Sequence, residues 1–343
     1  MPFTDIQGQE SAVATLRNAL ARDRLGHAYL FLGPAGVGKK HTDLTLAQAV
    51  LCSDTPREGC GTCPTCATVV AGTHPDVIVV APGTEKQSVV IDQVRDLQRL
   101  LGLRSVRGGK KVALLDDAHL LTPQAQSALL KIVEEPPGDA LLVLLTVNSA
   151  TLSRPLLSRC QQVRFSALPI AVVEDLLIQK HGRDPATAHA LAVYSRGSVG
   201  RALALDPQVF TEERRYVEEE LQRLSNASFT ALSRLAEWLV ADRVKKSSTA
   251  PAEGRVAGER LEIVLSWYEE VLRYALLGQE GVVRHQDCLP VMAQTAAGLG
   301  VAGALRQLTL VCDTMQALGR NANRQLAVED LLLQLAAPPH SAV

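Results

Sequence analysis

The chain has 343 residues, 47% hydrophobic, 21% charged and only 3% aromatic, with a formal charge of -1. That length supplies two or three domains with real cores, while the near-neutral balance argues against bulk-charge gripping of nucleic acid and the scarcity of aromatics against a base-stacking platform. Its start, MPFTDIQGQE, lacks the basic and apolar character of a signal peptide, and with no apolar run approaching the ~18 residues of a membrane span the expectation is a cytoplasmic protein without a membrane partner.

Residues 8–23 predict a helix, with Val13, Leu16, Ala19 and Leu20 on one face. An apolar run, Tyr29 to Leu32, then breaks at Gly33 into GPAGVGKK, which almost fits the phosphate-binding pattern GxxxxGK[ST]. Gly33, Gly36 and Gly38 let backbone N–H groups converge on an anion, and Lys39 can reach the outer phosphates. Position 40 departs from the pattern. A hydrolase needs a hydroxyl there to ligate Mg²⁺, and Lys40 offers donors without a lone pair. Two like charges ~4 Å apart cost roughly 4 kcal/mol at an intermediate dielectric, so the ammonium must swing away or the metal must stay out. The loop therefore predicts a nucleotide-binding scaffold with impaired hydrolysis, and ATP occupancy stays open because the glycines and Lys39 survive.

The loop's helix, 38–51, ends in LCSDTPREGCGTCPTCATVV. Cys60, Cys63 and Cys66 form a CxxCxxC run and Cys52 lies eight positions earlier; four sulfurs so spaced suit tetrahedral Zn²⁺ in a module spanning 52–66. Reduced free thiols, a CxxC redox pair and an Fe–S cluster are the other uses of such residues, although a redox dithiol needs neither the third nor the fourth cysteine. Cys160, Cys288 and Cys312 are scattered and read as small core residues.

Val77–Val80 reads as a short strand, and the next helix carries Ile91, Val94, Leu97 and Leu101 on one side. Lys111–Leu115 reads as a central strand that delivers Asp116 and Asp117 to its carboxyl end, where P-loop enzymes hold Mg²⁺ and orient water. Two acids ending a strand at the surface is the plainer alternative. Thr122 and Pro123 open a helix whose stripe is Ala125, Ala128, Leu129, Ile132 and Val133, stopped by Pro136 and Pro137. Leu141–Leu145 is another strand, ending where Thr146 or Asn148 could face a nucleotide; LSRPLLSRC then leads into a last strand, 162–165. Strands alternating with helices imply a parallel α/β sheet. Residues 167–206 read as a small helical domain, with Gly197-Ser198 opening its last helix. From 207 to 343 the pattern is all helix, interrupted by a polar loop at 245–255 and ending in a frayed AAPPHSAV.

GPAGVGKK, the CxxCxxC insert, LLDDAHLL followed by ALLKIVEEPP, and LSRC stand in the order seen in bacterial clamp-loader subunits, AAA+ proteins of DNA polymerase III, and the chain resembles that family over residues 1 to about 205. GSVGRAL and NANRQLAVEDLLLQL resemble it too. The resemblance implies an AAA+ P-loop domain of five parallel strands with a zinc insert (1–166), a helical lid (167–206) and an all-α collar (207–343). It favours the stator type over the gamma/tau motor, whose pattern would place Thr or Ser at 40, Glu at 117 and Arg at 200, where this chain has Lys40, Asp117 and Gly200. Arg201 is one step out of register. Within Ser158-Arg159-Cys160, the resemblance makes Arg159 an arginine finger reaching into a neighbour's ATP site; a solvated Arg before a strand is the plainer alternative. The implied partners are gamma/tau and delta subunits in a heteropentamer, with the sliding clamp and primer-template DNA met through the complex. A self-sufficient ATPase using Thr42 or a water in place of the missing ligand is the alternative activity. A free-standing zinc protein that binds nucleic acid is disfavoured by the neutral charge.

Overall fold

The computed structural model describes residues 2–83, 88–106, 109–224, 227–241, 256–281, 288–319 and 322–337. They divide into two compact units, Met1–Ala204 and Leu205–Val343.

The first unit is built on a five-stranded parallel sheet of β1 (Ala28–Leu32), β2 (Val77–Val80), β3 (Lys111–Leu115), β4 (Ala140–Thr146) and β5 (Gln161–Arg164) in the order β2-β3-β4-β1-β5. The three central strands are apolar on both faces because each face is covered. Leu30, Leu115, Leu142 and Leu144 pack in one core with α4 (Ile91–Leu101), α5 (Pro123–Glu134) and α6 (Arg154–Arg159). Tyr29, Phe31, Leu114, Val143 and Leu145 point the other way, into a second core with α1 (Glu10–Ala21) and α2 (Lys39–Leu51). The expected AAA+ sheet is therefore present, and α4 buries Val94, Leu97 and Leu101 as its period required. Thr122 caps α5 by accepting the Ala125 N–H at 3.2 Å.

Two short helices escaped the sequence reading. α3 (Pro64–Val70) begins inside the cysteine run, where Cys63 sulfur caps it by accepting the Cys66 N–H, and α6 occupies RPLLSR. At seven and six residues both are shorter than the stretch of about 11 residues over which a helical periodicity can be read. The last strand starts at Gln161, one residue earlier than expected. Three helices complete the unit: α7 (Ile170–His181), α8 (Pro185–Tyr194) and α9 (Val199–Ala204).

The second unit is helical throughout its described residues: α10 (Pro207–Arg223), α11 (Phe229–Val240), α12 (Val256–Leu277), α13 (Leu289–Gly319) and α14 (Arg324–Ala336). α13 is bent at Gly300, whose φ of 60° and ψ of 179° leave the helical region and divide it into two helical segments. By length and mean composition α13 is apolar enough to cross a membrane, because Ala, Gly and Leu dominate it, although Arg306, Gln307 and Asp313 interrupt it and leave no unbroken apolar run of the length of a span; α12 and α13 pack along each other. Arg260 lies buried, paired with Glu213 at 3.0 Å and 4.1 Å over the Trp238 ring. The polar loop at 245–255 and most of the C-terminal tail lie outside the described residues.

Candidate functional site

The carboxyl ends of β1, β3 and β4 converge on the phosphate loop. Leu32 stands in register with Thr146, and Gly33 N–H donates to the Thr146 carbonyl at 3.2 Å. Gly36 (φ 71°) and Gly38 (φ 103°) turn the chain through left-handed conformations that favour glycine, and α2 starts directly after. Lys39 is buried and donates to the Gly33 and Pro34 carbonyls, both at 2.6 Å, so its ammonium lies folded onto its own loop. Burial lowers its pKa, and the charges of Asp117 and Asp116 act against that.

Lys40 does not point away from the strand-end acids. Its Nζ lies 3.0 Å from Asp116 Oδ2, so the side chain that replaces the metal-binding hydroxyl sits on the acid that would hold the metal. Asp117, in a left-handed conformation, faces His119 at 3.9 Å. Below the pair is Asp43, on the second turn of α2 and fully buried; neither carboxylate oxygen has a hydrogen-bond partner. Burial, then the nearby charge of Asp116, drives its pKa well above the ordinary carboxyl value, with Lys40 pulling the other way.

Thr146 and Asn148 are engaged locally. The Thr146 hydroxyl donates to the Asn148 carbonyl at 2.8 Å and accepts its N–H at 3.2 Å, while Asn148 Oδ1 accepts from Ala150 N–H at 2.8 Å. Thr42 Oγ1 is likewise held, donating to the Gly38 carbonyl at 3.0 Å.

The last of the three small helices, α9, lies against the loop backbone. Gly200 N–H donates to the Gly36 carbonyl at 2.9 Å, and a Cβ at position 200 would stand 2.9 Å from Gly36 Cα. A Cβ at position 36 would meet Ser198 Oγ at 2.3 Å. Gln9, before α1, clamps the same region: its amide donates to the Ser166 carbonyl at 2.8 Å and the Val37 carbonyl at 3.2 Å.

Away from this pocket, Arg159 ends α6. It pairs through Nη2 with Glu134 at 2.8 Å and donates through Nη1 to the Pro155 carbonyl at 3.0 Å and to Ser158 Oγ at 3.4 Å. Cys160 is buried in the core, which pushes its thiol up to about 11, well removed from nucleophilic use.

The four clustered cysteines come together as the spacing implied. Their sulfurs all lie within 4.8 Å of one another, with Cys52–Cys60 at 3.6 Å, Cys52–Cys63 at 3.8 Å and Cys60–Cys66 at 4.0 Å. A tetrahedron with metal–sulfur bonds of about 2.3 Å has edges of about 3.8 Å, so the group can hold a metal. Backbone N–H groups of Cys60, Cys63 and Cys66 point at sulfurs at 3.2–3.4 Å. At Cys52 burial acts upward, but the N–H donors of Cys60 and Thr55 outweigh it and bring the thiol down to about 6. Burial takes Cys66 up to about 12.

Comparison with known proteins follows this geometry. Residues 8–169 match the family model of the DNA polymerase III delta subunit, and residues 210–337 that of its C-terminal region. The DNA polymerase III subunit delta-prime of Pseudomonas aeruginosa is 31% identical over 93% of this chain and 94% of its own, and that of Bacillus subtilis 30% identical over 95% and 96%. The chain belongs to the DNA polymerase III delta-prime family. The Bacillus subtilis tau subunit, by contrast, is 28% identical over 82% of this chain and 52% of its own length.

The sequence reading had singled out the loop, Lys40, both strand-end acids, the cysteines and the Ser158-Arg159-Cys160 segment; the structure brings the loop, Lys40 and Asp116 together and gathers the four cysteines. The reading missed Asp43, Gln9 and Glu134. Asp43 lay one helical turn beyond Lys40 and was legible in principle as an acid on an otherwise buried face. The partners of Gln9 lie 28 and 157 residues away, and no local pattern carries that.

Proposed function

We infer that this delta-prime family member is the stator of a clamp loader. It is a subunit of DNA polymerase III that turns over little or no ATP itself, joins gamma/tau motors and a delta subunit in a heteropentamer, and lends Arg159 to the nucleotide site of its neighbour. The observation that carries the reading is the 3.0 Å Lys40–Asp116 pair. A tethered ammonium on the strand-end carboxylate removes the charge that Mg²⁺ needs, and a divalent ion brought beside it would meet like charge. Lys39, which in a working loop faces phosphate, is satisfied by two loop carbonyls. The self-sufficient ATPase finds less support, since the Thr42 hydroxyl that would replace the missing ligand is committed to the Gly38 carbonyl.

Within this reading residues 207–343 are the collar that joins the subunits, 167–206 the lid, and the sliding clamp and primer-template DNA are met through the assembly in the cytoplasm. Structural zinc is held by Cys52, Cys60, Cys63 and Cys66, where it supplies a fixed cross-link with no open coordination position. Arg159 suits the trans role because a guanidinium can hydrogen-bond two phosphate oxygens and offset charge that develops during transfer.

Titration of the isolated chain with ATP, with and without Mg²⁺, tests the stator assignment. Negligible turnover and no Mg²⁺-dependent gain in affinity are expected, with Lys40→Thr creating such a gain. Turnover at the rate of a working AAA+ motor would overturn the reading.

A further inference from the structure

Arg159 is not extended in this chain. Its guanidinium has five N–H donors and no acceptor, and the groups that receive them are Glu134 Oε1 at 2.8 Å, Pro155 O at 3.0 Å and Ser158 Oγ at 3.4 Å. Two of these belong to its own helix; the third comes from the last residue of α5. Helix physics alone does not favour a carboxylate there, because the carboxyl end of a helix carries partial negative charge and prefers a cation. Glu134 therefore stands where its own helix disfavours it, and the compensation is Arg159. Both side chains are about two-fifths exposed, so the pair can part without opening the core.

We propose that Glu134 is the positioning residue of Arg159: it parks the guanidinium against the end of α6 and yields it when an anionic phosphate of the neighbouring subunit's nucleotide takes its place. This rests on the trans role of Arg159. A guanidinium paired with a carboxylate has its charge largely cancelled locally, and a phosphate approaching the pair meets Glu134 as a like charge, so the bound and parked arrangements exclude each other. Exchange of one oxyanion for another keeps the finger satisfied in both states. The parked state is held by a half-exposed pair, which is weak, so it biases the finger rather than disabling it. α5 gives the pair its address: the helix begins six residues after Asp117 and, with 12 residues, extends about 18 Å to Glu134.

The test uses the full chain, alone and in the reconstituted complex. In the isolated chain, Glu134→Gln should sharpen and shift the side-chain ¹⁵N signals assigned to Arg159 by their absence in Arg159→Ala, reporting faster rotation of a released guanidinium. In the complex, Glu134→Gln should raise ATP turnover by roughly two- to fivefold, the range open to a weak surface pair, and the gain should vanish in the Arg159→Ala background. Glu134→Asp, which keeps the charge, should stay near the wild-type rate. A rate that is unchanged or lowered in Glu134→Gln, with Arg159→Ala strongly slowed, removes the parking role and leaves the finger intact. An unaffected rate in Arg159→Ala removes the finger itself and the parking role with it, and an unchanged Arg159 signal in Glu134→Gln overturns the proposal at its first step.

Discussion

Asp43 is the residue at which the pocket's altered chemistry is felt by the fold. Its carboxyl is buried without a hydrogen-bond partner, and its pKa is raised by that burial and by the charge of Asp116. A raised native value means that the folded chain keeps a proton that the unfolded chain releases. Stability from this group is therefore fully present below the ordinary value near 3.8 and is lost as pH rises from there toward the native value. Asp43→Asn removes the ionisation: it should raise stability at neutral pH by on the order of 1–3 kcal/mol and flatten the pH dependence above about 4, both read from urea midpoints across pH. An unchanged slope would show that Asp43 finds a partner in solution. At this scale the sequence was only partly informative. Lys40 and Asp116 stood out because a pattern was broken at one and met at the other, whereas their 3.0 Å pairing depends on β1 and β3 flanking β4 in one sheet, so that the loop after β1 and the end of β3 meet at its carboxyl edge.

At the scale of elements, α9 meets the phosphate loop backbone to backbone at Gly200 and Gly36. Gly200 lies in a helix without positive φ, where Ala would ordinarily gain up to about 1 kcal/mol, yet its Cβ would stand 2.9 Å from Gly36 Cα. Gly200→Ala should therefore lower stability, by about 1–3 kcal/mol if the loop cannot yield, and speed hydrogen exchange along α9. A gain in stability would show that lid and loop relax apart. The cysteine module makes the complementary prediction. Metal analysis should find one zinc per chain, and Cys63→Ser should release it and lower the melting temperature, because binding energy at such a site is folding energy; full stability with no metal would refute the zinc assignment. Most of these elements were legible. Periodicity placed α4 and α5, and apolar runs placed β1 to β4, because each buries a regular face. α3 and α6 were not, being too short for a period and held instead by a sulfur cap and by the core around Leu156.

For the whole molecule, the sequence-level resemblance and the comparisons agree, and the reason is physical. The sheet and its two cores need only hydrophobic residues at the right spacing, so the scaffold tolerates change at the pocket while keeping the module's shape. The second unit was legible as helices, but not its buried Arg260–Glu213 pair, since the two residues stand 47 positions apart in the chain and no local pattern links them. The close glycine contact between the loop and α9 has a consequence for redesign. A side chain placed at position 200 would meet the Gly36 backbone, and a hydroxyl placed at position 40 would leave Asp116 and Asp43 to repel each other without the neighbouring ammonium. Metal affinity gained in this pocket thus carries a stability cost in the same pocket, and a variant built to hold Mg²⁺ has to be screened for folding as well as for binding.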